Sequence, residues 1–197
     1  DAPSAASDAF RMRRGLGEAI GVTNAVVAVL DWQTDELQVL PADELLPEGT
    51  LADGERAVPA HVTFDTEDGL IVAVHTLPAR TPGLSACLNR PTSLWHVPEI
   101  DAAARCLTPD AFCSHMPRLN PDGSLLAYCT RADQFAAHAT TFDVRAMNWP
   151  PPETGDVPSF LVAAAPDGRN RGGFHGLAGF HDELATLAWI SGDRLVC

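Results

Sequence analysis

The feature that most constrains the fold of this chain is a hairpin pattern that occurs three times. Each copy places a turn rich in Asp and Gly between two extended segments. The copies are HVTFDTEDGLIVAVH (61–75), PRLNPDGSLLAYC (117–129) and LAWISGDRLVC (187–197). Asp and Gly adopt the backbone conformations that tight turns require, and Pro121 presets φ inside the second turn. The pattern predicts hairpin turns at 67–69, 121–123 and 191–193.

An apolar run follows each of these turns. The runs are LIVAV (70–74), LLAYC (125–129) and LVC (195–197). Uninterrupted apolar runs are typical of strands buried on both faces, because strands with one wet face alternate apolar and polar residues. We therefore predict buried strands at all three positions.

A second kind of hairpin alternates with the first and has a polar turn between its strands. It occurs at 24–40 and 92–108, and the segment 138–149 begins in the same way. Four strands per unit, frequent turn signals and almost no helical periodicity are typical of β-propeller blades. The prediction is an all-β fold with about three four-stranded blades of a larger, seven- or eight-bladed ring. A β-sandwich is the alternative.

The whole chain, residues 1–197, is predicted to form part of one N-terminal β-propeller domain. It begins with Asp and ends within an apolar run, so we expect it to be an internal piece of a longer polypeptide. A partial ring leaves strand edges unpaired at its outermost blades. Because such edges can pair with the edges of another copy of the chain, a homo-oligomer is a possible assembly.

The charge of the chain argues against nucleic-acid binding. The net charge is −13, and the only basic cluster is Arg11, Arg13 and Arg14, which a solvated surface explains. A nucleic-acid partner needs a basic stripe that neutralises phosphates. No apolar run approaches the ~20 residues that span a bilayer, and the N-terminal segment lacks the pattern of a secretory signal. Neither a nucleic acid nor a membrane is predicted as a partner.

The cysteine content indicates a reducing compartment. The count is odd and no pair forms a Cys-x-x-Cys motif, as the positions show: Cys87, Cys106, Cys113, Cys129 and Cys197. Buried or reduced thiols fit this pattern better than a disulfide framework. We therefore predict a cytoplasmic protein.

Three local patterns resemble functional motifs, and each has a simpler interpretation. GLSAC (83–87) imitates a nucleophile elbow around Ser85, but it ends in Cys and no helical pattern follows it. RGGFHG (171–176) carries the glycines and histidine of an oxyanion loop in the wrong order. Cys106, Cys113 and His115 lack the spacing of a common zinc site and lack a fourth ligand. The sequence predicts no catalytic residue, no cofactor and no metal site in this chain.

The remaining histidines and the large aromatic residues complete the set of candidates. The histidines are scattered, without an Asp or Ser at a telling offset: His61, His75, His96, His138, His175 and His181. A catalytic triad that is assembled only in space would leave no such motif. The scatter of the histidines along the chain therefore argues only weakly against a triad. We predict that the large aromatic residues anchor the packing between blades: Trp32, Trp95, Tyr128, Trp149 and Trp189.

Several segments resemble a known family. PRLNPDGSLLAY (117–128) resembles a propeller hairpin of the prolyl-oligopeptidase clan of serine peptidases. CLNRPTSLWHV (87–97) is similar to a strand region of acylaminoacyl-peptidase, also called acylamino-acid-releasing enzyme or acyl-peptide hydrolase, within that clan. Segments 15–40 and 175–197 resemble pieces of the same family in the same order.

This resemblance implies a cytosolic serine hydrolase that releases N-acylated amino acids from the amino end of short blocked peptides. Its catalytic Ser, Asp and His would lie in a C-terminal α/β-hydrolase domain that is absent from this chain, and no position here matches them. The chain would then be the propeller that gates that active site and sieves its substrates. A non-catalytic propeller that binds other proteins is the alternative, and a self-sufficient hydrolase is the third hypothesis.

Overall fold

The computed structural model describes residues 25–78, 91–99, 102–111, 113–131, 140–163, 177–179 and 187–196. These residues form thirteen strands and, within the described ranges, one helix of four residues. The prediction of an all-β chain is therefore confirmed. No helix in these ranges is long and apolar enough to cross a membrane.

The strands follow one another with short connections. The first group is β1 (Val26–Asp31), β2 (Glu36–Pro41), the helix α1 (Ala42–Leu45), β3 (Glu55–Phe64), β4 (Leu70–Pro78), β5 (Thr92–Val97) and β6 (Arg105–Cys106). The second group is β7 (Cys113–Leu119), β8 (Leu125–Arg131), β9 (Thr140–Asn148), β10 (Ser159–Ala163), β11 (Leu177–Gly179), β12 (Ala188–Ser191) and β13 (Arg194–Val196).

Two four-stranded antiparallel meanders form the centre of the molecule. The first meander pairs β3, β4, β5 and β6 in chain order, and the second pairs β7, β8, β9 and β10 in the same way. A single parallel bridge between Thr92 and Cys113 joins them. β11 adds to the end of β9, while β1–β2 and β12–β13 are separate two-stranded hairpins.

The hairpins predicted from the sequence coincide with these pairings. Segment 24–40 contains β1–β2, 61–75 lies in β3–β4, 117–129 lies in β7–β8, and 187–197 contains β12–β13. Segment 92–108 contains β5 and the two-residue β6. Segment 138–149 contains β9, which pairs with β8 on one side and with β10 on the other.

The same side-chain device closes the first turn of each meander. Between β3 and β4, the Asp65 carboxylate accepts hydrogen bonds from the backbone N–H groups of Glu67 and Gly69, at 2.8 and 2.7 Å. Between β7 and β8, the Asn120 side-chain oxygen accepts from the N–H groups of Ser124 and Leu125, at 2.8 and 2.9 Å. Asp and Asn side chains favour such turns because they replace a backbone acceptor.

The predicted buried strands are correct for two runs and wrong for the third. The run 70–74 in β4 is buried throughout, and the run 125–129 in β8 is buried except for the half-buried Leu125. In β13, by contrast, Leu195 is only half-buried and Val196 is exposed. The physical reason is that β12–β13 packs on the second meander with one face, and no described element covers its other face.

Four layers are stacked face to face through three hydrophobic clusters. The first cluster joins β1–β2 and α1 to the first meander and includes Val27, Leu40, Leu45, Leu70, Val72 and Val97. The second cluster joins the two meanders and includes Ile71, Ala73, Leu94, Leu126, Tyr128, Met147 and Trp149. The third cluster joins the second meander to β12–β13 and includes Cys129, Phe142, Val144, Leu187, Trp189 and Leu195.

Four of the five predicted aromatic anchors pack between layers. Trp95 packs against the first cluster, Tyr128 and Trp149 belong to the second, and Trp189 packs against the third. The indole N–H of Trp189 also donates to the carbonyl oxygen of Arg118 at 2.9 Å. The fifth prediction is wrong, because Trp32 lies in the turn between β1 and β2 and is 78% exposed.

Candidate functional site

Two irregular strands bring histidines together where the meanders meet. The pairing of β3 with β4 shifts between Pro59 and His61, and the pairing of β7 with β8 shifts between His115 and Arg118. A β-bulge bends its strand and re-aims the side chains beside it, and bulges occur often next to functional sites. Met116, inside the second irregularity, has φ +56°, which is uncommon for a residue other than Gly, Asn or Asp.

The result is a compact group of rings and one guanidinium, which we call the His–Arg cluster: His61, His75, His115 and Arg131. The ring centroids of His61 and His115 are 5.8 Å apart. His115 also meets the Phe142 ring in an edge-on contact, with centroids 4.4 Å apart. The Arg131 guanidinium lies 5.7 Å from the centroid of the same phenyl ring, within the range of a cation–π contact.

The members of the His–Arg cluster differ in exposure. His115 is 2% exposed and Arg131 is also buried, whereas His61 and His75 are half-buried. The Nδ1 atom of His115 is buried and has no hydrogen-bond partner among the described residues. A buried polar atom in that state costs free energy, so it requires a physical account.

The surroundings of His115 keep its ring neutral. Burial, followed by the charges of His61, His75 and Arg131, lowers the pKa of His115 from 6.5 to about 3. A neutral imidazole offers one donor and one acceptor nitrogen. Nearby, Nδ1 of His75 and the hydroxyl of the buried Thr92 lie 2.5 Å apart, which fixes the orientation of that ring.

The chemistry of this group is that of an anion site rather than a metal site. A guanidinium and imidazole N–H groups are donors that pair with carboxylates and phosphates. Within the described ranges, no three His, Cys, Asp or Glu side chains are placed to hold a metal ion. In the same ranges, Cys106, Cys113 and Cys129 carry thiols that form no disulfide.

A polar cleft between the β6–β7 connection and the second meander is the second candidate. Its volume is about 330 Å³, and its wall includes Asp110, Tyr128, Asp143, Arg145 and Ser159. Arg145 is already engaged there, because its Nε and Nη2 donate to the hydroxyl and carbonyl oxygens of Ser159, both at 3.0 Å. The guanidinium therefore joins β9 to β10, and the cleft has less donor capacity than its composition indicates.

An Asp–His pair at the other end of the sheets has a structural role. The Nε2 of His96 and the carboxylate of Asp65 lie 2.7 Å apart. The same carboxylate closes the β3–β4 turn, and the His96 ring meets Trp149 of the second meander edge-on, at 4.8 Å. This arrangement resembles two members of a catalytic triad, but its contacts tie a turn, a strand and a neighbouring sheet together.

The His–Arg cluster leaves no motif in the sequence, because its histidines are far apart along the chain. A usable signal was present in Pro59 and Pro117, each of which lies two residues from a histidine of the cluster. Proline inside a strand indicates an edge or a bulge. The motifs around Ser85 and at 171–176 lie outside the described residues.

The comparisons with known proteins add no relative to this picture. No model of a known protein family matches the chain, and no curated protein matches it either. The family resemblance drawn from the sequence therefore stays a prediction.

Proposed function

We propose that this chain supplies blades of a β-propeller that gates the active site of a serine hydrolase of the acylaminoacyl-peptidase type. The observation that carries the proposal is the pair of successive four-stranded meanders packed face to face. A propeller repeats such meanders radially around a central channel. The alternative β-sandwich has two layers, whereas four layers are stacked here.

The arrangement of the first strands supports the same proposal. In each meander the first strand, β3 or β7, forms one edge, and β7 comes close to both β3 and β5 of the first meander. In a propeller, the first strands of neighbouring blades are neighbours around the central channel. The His–Arg cluster, with His61 on β3 and His115 on β7, would then face that channel.

The outer faces of the stack also support further blades. On β1–β2, one face presents three cross-strand pairs, Val26 with Pro41, Ala28 with Val39, and Leu30 with Leu37. These side chains are exposed or only half-buried, and Ile190 and Val196 are exposed on β12–β13 at the other end. A contiguous apolar face of this kind marks a surface that packs against another element.

The proposed role of the chain is to restrict access rather than to carry out the chemistry. Short N-acylated peptides are the substrates, and an α/β-hydrolase domain joined to the propeller supplies the nucleophile. A rigid ring over such a domain excludes folded proteins and keeps bulk water from the reacting carbonyl. The cytoplasm is the compartment that the cysteine content favours.

The test is activity-based labelling of the native polypeptide. An antibody against this chain captures the polypeptide from its own cells, and a fluorophosphonate probe then reacts with any activated serine. We expect a labelled polypeptide larger than 20.9 kDa that releases N-acetylalanine from an N-acetylated peptide. An unlabelled polypeptide would contradict the proposal and would favour a propeller that only binds other proteins.

A further inference from the structure

The strand register builds one wall of the polar cleft. Tyr128 lies directly opposite Arg145 in the β8–β9 pairing, and Thr130 lies directly opposite Asp143. Because alternate residues of a strand share a face, these two cross-strand pairs lie on the same face of the sheet. All four residues line the cleft, whose volume of about 330 Å³ is typical of sites for small molecules.

The same face of β8–β9 is apolar one step nearer the β7–β8 turn. There the cross-strand pair Leu126 and Met147 is 0% exposed and belongs to the cluster that joins the meanders. Polar residues replace apolar ones along this face where the cleft opens. Since polar residues in the interior are the informative departures from an apolar core, the wall has the composition of a binding site rather than of a packing surface.

Several polar groups in the wall are committed to the fold. The Thr108 hydroxyl accepts from a backbone N–H of β5 at 2.9 Å, and the Thr130 hydroxyl donates to a carbonyl oxygen of β7 at 3.1 Å. Arg145 uses Nε and Nη2 to hold Ser159, both at 3.0 Å. These contacts fix the shape of the cleft.

Three groups in the wall keep hydrogen-bonding capacity. Tyr128 is 3% exposed, yet its hydroxyl makes no hydrogen bond with any described residue. Among the same residues, Nη1 of Arg145 and the carboxylate of the exposed Asp110 also have no partner. A buried hydroxyl without a partner costs free energy, so a ligand oxygen that accepts from Tyr128 would gain from this arrangement.

The charge of the lining favours a cation. Asp110 and Asp143 bring two negative charges, whereas Arg145 brings one positive charge, and the whole chain has a net charge of −13. A cleft lined by one sign of charge concentrates ligands of the opposite sign. The donors of Tyr128 and Arg145 nevertheless require an acceptor. The ligand that fits therefore carries both a positive charge and an accepting oxygen.

We propose that the polar cleft binds a small primary amine that carries a neighbouring carbonyl or hydroxyl oxygen. The ammonium group donates to the carboxylate of Asp110. The oxygen accepts from the Tyr128 hydroxyl and from Nη1 of Arg145, while Leu107 and Val157 contact the carbon skeleton. Amino acid amides are the simplest members of this class. The site is independent of the proposed hydrolase, because it rests only on the cleft and its lining.

The single tyrosine of the chain allows a direct test. Tyr128 is the only one, so incorporation of fluorotyrosine into the full chain gives one fluorine NMR resonance at the cleft. Three compounds of nearly equal size are titrated at about pH 6.5, where an α-amino group is protonated. L-Alaninamide carries the ammonium and the carbonyl, propanamide carries the carbonyl alone, and propanoate is an anion. We expect L-alaninamide to shift the resonance saturably and to bind at least about tenfold more tightly than propanamide or propanoate.

Two carboxylate substitutions locate the ammonium group. Asp110→Asn removes the charge at the cleft with little change in size, and it should bring the affinity for L-alaninamide close to that for propanamide. Asp68→Asn changes an exposed carboxylate in the β3–β4 turn, outside the cleft, at a φ of +66° that Asn also adopts. This control should leave the affinity for L-alaninamide unchanged.

Tyr128→Phe tests the hydroxyl without disturbing the fold. The substitution removes a group that has no partner among the described residues, so the free energy of unfolding should not fall. Calorimetric titration should show that L-alaninamide binds about fivefold more weakly, because one neutral hydrogen bond is lost. An unchanged affinity would remove Tyr128 from the site and contradict the proposal.

The remaining outcomes also overturn the proposal. Equal affinities for L-alaninamide and propanamide would exclude a cation site, and preferential binding of propanoate would make the cleft an anion site. A fluorine resonance that moves with none of the three compounds would exclude ligand contact at Tyr128. A preference for L-alaninamide that survives Asp110→Asn would place the ammonium elsewhere. Fluorophosphonate labelling affects none of these results, so the amine site and the hydrolase fail separately.

Discussion

The two central meanders and the two outer hairpins use similar apolar sequences with different results. In the meanders, β4 and β8 are buried on both faces because each meander lies between two other layers. In the outer hairpins, one face is buried and the other presents apolar side chains such as Leu30, Leu37 and Ile190 to solvent. The stability of a layer in this chain therefore depends more on the layers that cover it than on the β-propensity of its own residues.

The largest expected effect comes from a core leucine of the second meander. Leu126 is 0% exposed between the meanders, so Leu126→Ala should lower the free energy of unfolding by about 3 kcal/mol. The matched change Leu37→Ala, on a residue that is 62% exposed in the outer hairpin, should cost less than about 0.5 kcal/mol. Chemical denaturation measures both values. Equal losses would mean that the outer face of β1–β2 is covered.

The second prediction concerns the pH dependence of stability. The pKa of His115 is about 3 in the folded chain and 6.5 as its ordinary value, so only the unfolded chain binds a proton between these limits. The contribution of His115 is therefore fully present above pH 6.5 and is lost as the pH falls, by about 2 kcal/mol at about pH 5.

Two single substitutions, His115→Gln and His96→Gln, test whether His115 causes this pH dependence of stability. Denaturation midpoints of His115→Gln should fall less steeply between about pH 6.5 and pH 5 than those of the wild-type protein. His96→Gln, which changes a half-buried ring paired with Asp65, should keep the wild-type contribution of His115. A steep decline that persists in His115→Gln would assign it to other groups.

Asn120 tests the link between a meander and an outer hairpin. Its side chain accepts from two backbone N–H groups in the β7–β8 turn and donates to the carbonyl oxygen of Gly192 at 2.9 Å. Asn120→Ala removes the side-chain partner of the two N–H groups and of the Gly192 carbonyl oxygen. It should lower the free energy of unfolding by about 1.5 kcal/mol. The exposed Asn148 serves as the control, since Asn148→Ala should change the unfolding free energy far less. Similar values for both variants would contradict this link.

The smallest expected difference is that between two glycine variants at positions with similar backbone conformations. Gly54 has φ +80° and open space around it, whereas Gly123 has φ +68° and a Cβ there would meet the Thr66 methyl group. Gly54→Ala should lower the free energy of unfolding by about 1 kcal/mol, because it introduces backbone strain and no steric contact. Gly123→Ala should cost about 1 kcal/mol more, because Thr66 must also move. If the two costs are the same, the turns of the two meanders do not touch.

The fold was predictable from the sequence where one local signal dominates. Turn residues such as Gly69 and Gly123, each followed by an apolar run, were sufficient to place β4 and β8 and their partners. Burial was less predictable, because Leu195 and Val196 have the composition of a buried strand but no described element covers the outer face of their hairpin. Trp32 failed as an anchor for a similar reason, since a large side chain in a turn packs only when another element reaches it.

The candidate site was not predictable in the same way. His61 and His115 meet because two strands from different meanders come close together and both depart from regular pairing. Neither event follows from residue spacing along the chain. The prolines at 59 and 117 indicate only that the strands are irregular, and the contact between them depends on tertiary packing.

Amide hydrogen exchange, measured strand by strand in the folded chain, tests the layered arrangement most directly. Amides in β4 and β8 should exchange slowest, and those in β1–β2 and β12–β13 at least about a hundredfold faster, because they open without disrupting the central layers. Comparable protection of the outer hairpins and the two meanders would contradict the account, since it would require all four layers to be covered equally.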